Sequence, residues 1–301
     1  MRNVLVIGCG DIALRTIPLL TPRYKVFALI RNSEYGARLR MLGATPIMGN
    51  LDDRHSLARI AGIAEAVLHF APPPNEGECD SRTRNLLNAL SRVRKHRATL
   101  PKRIVYISTS GVYGDCEGAW VNESQPLNAK NARALRRVDA EKQVRSWAKR
   151  NRVKASILRV PGIYAADRLP LGRIKSGSPC IADVEDSYTN HIHADDLARI
   201  SIAALQRGKP CRIYHASDDS HLKMGEYFDR VADAYDLPRM PRISRAEAQK
   251  ILSPMLLSFM NESRRLTNVR LKRELKVVLK FRTVESALSR AHMRTPIEGM
   301  K

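Results

Sequence analysis

The sequence predicts an α/β fold: a doubly wound parallel sheet with a smaller C-terminal substrate lobe. Three observations carry this expectation. Short apolar, β-branched runs alternate with amphipathic stretches through the first two thirds of the 301 residues, which is the pattern of strand–helix–strand units. A glycine turn, Gly8-Cys9-Gly10-Asp11-Ile12-Ala13, separates the first run from the first amphipathic stretch. Beyond about residue 165 the alternation breaks down, and prolines at 170, 179, 210, 238, 241 and 254 punctuate short segments.

In chain order, Asn3-Val4-Leu5-Val6-Ile7 reads as the first strand, residues 12–20 as a helix and Lys25-Val26-Phe27-Ala28-Leu29-Ile30 as the second strand. The third strand, 45–48, runs into Gly49-Asn50-Leu51-Asp52-Asp53. A helical segment at 56–61 leads to a fourth strand, Ala66-Val67-Leu68-His69-Phe70-Ala71. Pro72-Pro73-Pro74 then forbids regular structure, so a loop is expected across the carboxyl edge of the sheet. A helix at 81–93, a fifth strand at 103–108, a helix at 135–150 and a sixth strand at 155–160 follow. Residues 188–193 read as a strand returning to the main body, and helices are expected at 195–206, 224–235 and 244–252. The division expected is a Rossmann-type dinucleotide-binding domain, 1–165 with a returning segment near 188–215, and a mainly substrate-side lobe, 166–301.

The first turn fits G-x-G-x-x-G/A in its required strand–turn–helix setting. Gly8 permits the tight turn, Gly10 lets backbone approach a pyrophosphate, and Ala13 lets helix and strand pack closely. The helix start at Asp11 and Ile12 offers free N–H groups and a positive dipole end to the phosphates. At the end of the second strand, where an acid usually accepts from the adenosine ribose, stand Arg31, Asn32 and Ser33. A guanidinium cannot accept from a ribose hydroxyl but matches a phosphate. The expected cofactor is therefore NADP, with NAD as the alternative.

With 44% hydrophobic and 27% charged residues, the composition is that of an ordinary globular protein. No run approaches the roughly 20 apolar residues of a membrane span, and the early first strand is expected to leave no room for a signal peptide. Five cysteines without C-x-x-C spacing argue for reduced thiols, no zinc site and a cytoplasmic protein. The net charge of +22 raises a nucleic-acid reading. The basic runs at 92–97, 133–154 and 264–276 lie on helical patterns without aromatic interleaving, which argues against it. A solvated basic surface is the plain reading; an anionic substrate or an acidic partner are the others.

Five further segments resemble one family, the extended short-chain dehydrogenase/reductases that include nucleotide-sugar epimerases and dehydratases, in an atypical branch of NAD(P)-dependent, epimerase-like oxidoreductases. Asn50-Leu51-Asp52-Asp53 resembles the family's G-D-L-x-D turn, and implies adenine contacts from Asn50 and Leu51. His69-Phe70-Ala71 resembles its H-x-A-A strand end, which implies that His69 and Ala71 line the pyrophosphate and nicotinamide ribose. Residues 106–114, ending Val112-Tyr113-Gly114, are similar to its active-site strand; Ser108 would then sit by the cofactor, and the catalytic hydroxyl would be Thr109. Arg159, Pro161 and Gly162 lie in a segment similar to R-P-x-x-x-Y, which abuts the nicotinamide, and 190–198 is similar to V-H-V-x-D-x-A.

One departure bears on chemistry. Anchored on Glu141, the family's tyrosine and lysine, one helical turn apart, correspond to Arg133 and Arg137, and guanidiniums cannot exchange a proton near pH 7. The acids that the dehydratases carry after the catalytic hydroxyl correspond to Ser110 and Gly111.

The resemblance implies an oxidoreductase or epimerase acting on a carbonyl or sugar-derived small molecule. Thr109 would hold the substrate oxygen, Arg133 or Arg137 would stabilise an oxyanion, and Tyr164, Tyr113 or His191 would carry the proton. His191 and His193 share a strand face, but no third metal ligand is indicated, so no metal is expected. The alternatives are an inactive NADP-binding sensor or regulatory protein and, more weakly, a nucleic-acid-binding protein on the same scaffold. Family members often pair through a four-helix interface, which would place 135–150 in a homodimer. Glu262-Ser263-Arg264-Arg265-Leu266-Thr267-Asn268 resembles a family segment of open role.

Overall fold

A computed structural model describes residues 2–92 and 100–292. The end of the helix expected at 81–93 and most of the basic run at 92–97 lie outside the described residues. The chain builds β1 (Asn3–Ile7), α1 (Asp11–Leu20), β2 (Lys25–Ile30), α2 (Tyr35–Met41), β3 (Ala44–Met48), β4 (Ala66–His69), α3 (Ser81–Leu90) and β5 (Arg103–Thr109). A two-residue strand β6 (Trp120–Val121) precedes α4 (Ala132–Asn151), β7 (Lys154–Val160) and β8 (Gly162–Tyr164). Then come α5 (Leu171–Lys175), β9 (Cys180–Ile181), β10 (His191–His193), α6 (Ala194–Arg207), β11 (Arg212–His215) and α7 (Met224–Ala234). The remaining elements are β12 (Arg242–Ile243), α8 (Arg245–Ile251), α9 (Pro254–Met260), β13 (Arg265–Leu266), α10 (Val269–Leu275) and α11 (Val284–His292).

Seven strands form one parallel sheet in the order β11-β7-β5-β4-β1-β2-β3. Alternation along β1 divides the core between its two faces. Val4 and Val6 face a cluster with Ile17 of α1 and Leu197 and Ile200 of α6. Leu5 and Ile7 face one with Leu86 of α3 and Val144 and Trp147 of α4. Covered on both faces, the central strands are largely apolar, as parallel sheets require, with His69, Ser108, Ser156 and Arg159 as their buried polar residues. The strand order reverses between β1 and β4, so a crevice opens at their carboxyl ends.

Residues 188–193 do not return to this sheet. Only His191–His193 is extended, and it pairs in parallel with β8 in a separate two-stranded ladder. The seventh strand is β11, beside β7. The helix expected from 135 starts at Ala132, because the Asn131 side chain caps it by accepting from the Ala134 N–H at 2.9 Å. The segment at 56–61 is a 3₁₀ turn, Ser56–Ile60. Helix α2 escapes the sequence pattern because only Gly36 and Leu39 of its seven residues are buried.

Candidate active site

Two cavities open at the carboxyl ends of the strands and meet at Pro72. The first, about 500 Å³, is lined by Gly8, Gly10, Arg31, Asn32, Asn50, Leu51 and Ala71 together with Cys9, Tyr35 and Arg82. Gly8 has φ +90°, and a Cβ there would lie 2.4 Å from the Ala71 nitrogen, so the β1 turn fits against the exit of β4 only as glycine. A Cβ on Gly10 would meet nothing within 4 Å. The chain itself does not need that position bare; an approaching ligand would. No side chain caps α1, so its first N–H groups remain directed at the crevice. Arg82 clasps Asp52 with two bonds of 2.8 Å and donates to the Pro73 carbonyl at 3.2 Å, tying the proline loop to the turn after β3. Burial pushes the Cys9 thiol up to about 12, which leaves it unreactive. The cradle fits a dinucleotide.

The second cavity, about 580 Å³, brings Thr109, Ser110, Gly111, Pro161 and Gly162 together with Arg133, Arg136 and Arg137 of α4. Its far wall is His191, Arg173, Tyr188, Tyr227, Phe228, Glu262 and Arg264. Thr109 Oγ1 accepts from the Gly111 N–H at 3.2 Å. Arg137 donates to the Ile107 carbonyl at 2.7 Å and to the Tyr106 hydroxyl at 3.1 Å. Arg133 is exposed on one side, and partial desolvation by its neighbours lowers its pKa, with Arg137 and Arg136 adding to the effect against Glu262. His191 stacks on Tyr227 with centroids 4.1 Å apart, its Nδ1 is buried without a partner, and burial pushes the imidazole down to about 3. The ring is neutral at ordinary pH.

Several expected site residues lie elsewhere. Arg159 is buried behind the cavity, bound to Glu141 through Nε at 3.0 Å and Nη2 at 2.7 Å, and to the Tyr113 hydroxyl at 2.6 Å. That hydroxyl also meets His215 Nε2 at 2.6 Å, and His215 Nδ1 lies 2.9 Å from the Thr267 carbonyl. Tyr113 is thereby spent on a structural chain and faces no cavity. Tyr164 packs into the C-terminal lobe beside Ile174 and Phe228, donates to the Thr283 carbonyl at 3.3 Å, and is held fully protonated by burial. It lines neither cavity, so its hydroxyl is out of reach of a ligand held there. His69 lies inside the sheet against Thr83, with Nε2 2.9 Å from Oγ1, and Ser108 is likewise buried. The start of α1 stays at the first cavity through its backbone: the Ile12 and Ala13 side chains pack into the core, as the close helix–strand packing expected at Ala13 requires, and the Asp11 side chain is taken by Arg15 and Arg168, each at 2.9 Å. His193 caps α6 and stacks on Phe281.

A model of the NAD dependent epimerase/dehydratase family matches residues 13–216. The chain belongs to this family. A family member, the dTDP-glucose 4,6-dehydratase of Mycobacterium tuberculosis, is 24% identical over 192 residues, 58% of this chain and 57% of its own length. The chain thus spans a little over half of that relative. A solved protein of unknown function from Silicibacter pomeroyi superposes with a TM-score of 0.80 at 26% identity, covering 97% of this chain and 99% of its own. A dTDP-glucose 4,6-dehydratase of Streptomyces venezuelae, solved with NAD bound, superposes with a TM-score of 0.76 at 20% identity, covering 97% and 96%. This last likeness speaks for the fold. The family's cofactor is NAD-type, and its typical members are enzymes. Arg136, Arg173, Tyr227 and Arg264 were not singled out from the sequence. The nearest signal was the resemblance of 262–268 to a family segment, which proves to supply Glu262 and Arg264 to the cavity wall.

Proposed function

We propose that the protein is an NADP-preferring oxidoreductase or epimerase-like enzyme that acts on a carbonyl or sugar-derived small molecule and uses His191 where relatives use another proton carrier. One observation carries the reading: the glycine cradle with Arg31 and the cavity with Thr109 adjoin at Pro72, over the reversal point of the sheet. Gly8, Gly10 and Ala71 would hold the pyrophosphate, Asn50 and Leu51 the adenine, and Arg31 with Asn32 the 2′-phosphate. NADP, when bound, supplies hydride transfer. The chain's own part is to hold the substrate oxygen between the Thr109 hydroxyl and the neutral His191 ring, and to stabilise growing negative charge with Arg133 or Arg137. Of the three proton carriers the sequence offers, only His191 lines the cavity.

Mass spectrometry of gently purified protein for a retained dinucleotide, with NADPH and NADH titrations, tests the cofactor. Arg31→Asp is expected to weaken NADPH at least about ten-fold while sparing NADH; equal NADPH affinity removes Arg31 from the phosphate site. NADPH oxidation with aldehydes, ketones and sugar nucleotides tests turnover, which Thr109→Ala and His191→Phe should abolish. A second reading, a dinucleotide-binding sensor without turnover, is favoured by the guanidiniums at 133 and 137. Tight NADP binding, no turnover, and activity created by Arg133→Tyr with Arg137→Lys would establish it.

A further inference from the structure

The second cavity is lined by five arginines, at 133, 136, 137, 173 and 264, and by one carboxylate, Glu262. Glu262 is already engaged, 2.9 Å from Arg264 and 3.3 Å from Asn131. The other guanidiniums whose bonds are defined rest on neutral groups: Arg137 on the Ile107 carbonyl and Tyr106, Arg136 on the Gly77 carbonyl at 2.5 Å, and Arg173 on the Pro179 carbonyl and the face of Phe228. The acid behind α4 that feels the Arg137 charge is Asp80, which is held by Thr83. Elsewhere the chain answers such arginines with carboxylates, as in Arg82 with Asp52, Arg212 with Glu274 and Arg242 with Asp229.

The placement adds to the imbalance. Arg133, Arg136 and Arg137 share one face of α4 by their i, i+3, i+4 spacing, within two turns of its N-terminus, and that first turn carries no acid. Cations there oppose the helix dipole, whose positive end favours anions. Arg136 and Arg264 are 7% and 8% exposed, so their charge is poorly screened, and the Nε of each has no partner among the described residues. Like charges gathered at a low-dielectric wall and a positive helix end are the condition that a bound anion relieves.

We propose that this cavity takes a compact ligand carrying at least two negative charges, on phosphoryl or carboxylate groups, clamped by Arg133, Arg137 and Arg264. The inference rests on the reading of this cavity as the substrate side. It makes residues 133 and 137 the charge-recognising end of the site, beside Thr109, so the ligand's anionic group lies next to its reacting carbon.

The test is calorimetric titration of the full chain at low ionic strength with pyrophosphate and with citrate, glucose serving as the neutral control. Saturable binding of one or both anions and none of glucose is expected, and the stronger of the two assigns phosphoryl or carboxylate chemistry. Arg133→Gln with Arg137→Gln should weaken that binding by about ten- to a hundred-fold, the worth of one or two charge-assisted bonds. Because Arg137 also braces Ile107 and Tyr106, Arg133→Gln alone, which leaves those two contacts in place, should still lose several-fold. Arg31→Asp, run alongside, reads any anion held in the dinucleotide cleft, and Arg38→Gln with Arg40→Gln on exposed α2 should leave anion binding unchanged. No anion binding, unchanged binding in the double variant, or a matching loss from the α2 pair overturns the proposal, as does a loss confined to Arg31→Asp. NADPH titration of the same proteins reads the cofactor cleft separately, so failure there leaves this result standing.

Discussion

Three buried neutral histidines make this protein acid-sensitive by an amount that follows from their surroundings. His69 lies inside the sheet against Thr83, His191 under Tyr227, and His215 between Tyr113 and the Thr267 carbonyl. Burial, the leading cause in each, pushes all three down to about 3. In the unfolded chain each titrates near 6.5. Below that pH the unfolded state takes up protons that the fold refuses, so stability falls as pH drops from about 6.5 towards 3. The slope is about 1.4 kcal/mol per pH unit for each ring, or about 2 kcal/mol apiece by pH 5 and about 6 for the three. Asp218 works in the other direction. Burial raises it to about 7, so the fold keeps a proton that the unfolded chain has released, which restores about 2 kcal/mol over the same interval. Asp80 and Asp186, also raised by burial, push the same way. His193, lowered mainly by burial, pulls against those two, so the expected net loss between pH 6.5 and pH 5 is about 3–4 kcal/mol. Urea unfolding at pH 7.5, 6.5, 5.5 and 5.0, with His69→Gln alongside, isolates one ring. The stability gap between variant and wild type should narrow by about 2 kcal/mol across the acid interval. Parallel pH curves for the two proteins would refute the reasoning.

Other outcomes follow from single contacts. Gly8→Ala puts a methyl 2.4 Å from the Ala71 nitrogen at φ +90°; thermal unfolding should show a loss of roughly 1–3 kcal/mol, with NADPH binding abolished. Gly10→Ala meets no atom of the chain, so Tm should hold while NADPH affinity falls. Arg159→Met leaves the buried Glu141 carboxylate with only the half-exposed Arg145, at 3.2 Å, as a cationic partner and should cost up to about 3–5 kcal/mol, whereas Glu141→Leu with Arg159→Met should recover most of it. Tyr164→Phe removes the bond to the Thr283 carbonyl and the hydroxyl's hydrogen bond with the buried Asp218; a loss of about 1–3 kcal/mol in denaturant is expected, with anion and dinucleotide affinities unchanged.

What the sequence reveals and what it conceals divide along sequence distance and strand alternation. The dinucleotide cradle is legible because its key parts, Gly8, Gly10 and Arg31, lie within two strands and one turn, where spacing alone dictates proximity. Arg159 illustrates the limit. Its neighbours Leu158 and Val160 turn to the α1 and α6 face of β7, so Arg159 and Ile157 turn the other way, towards α4. There the guanidinium meets Glu141 and faces neither cavity. Tyr164 fails for a related reason: β8 pairs with β10 away from the main sheet, which directs its phenol into the lobe core. The cavity wall was least legible, since Arg173 and the pair Glu262 and Arg264 are brought to α4 only by the tertiary fold.

Residues 133 and 137 join the two kinds of evidence. Their four-residue spacing, readable in the sequence, sets them one above the other on a helix. The cap at Asn131, visible only in the structure, begins that helix early enough to place both at the cavity, near its positive end. A spacing suited to holding a phenol beside an ammonium then holds two permanent cations where an anion gains from both charge and dipole. With no proton to exchange at those positions, the proposed chemistry draws on Thr109 and His191, which do line the cavity. On that proposal, charge recognition and proton handling fall to different walls of one cavity. Removing a guanidinium should impair ligand affinity, with turnover falling as well where that guanidinium also stabilises growing charge, whereas removing the imidazole should impair turnover alone.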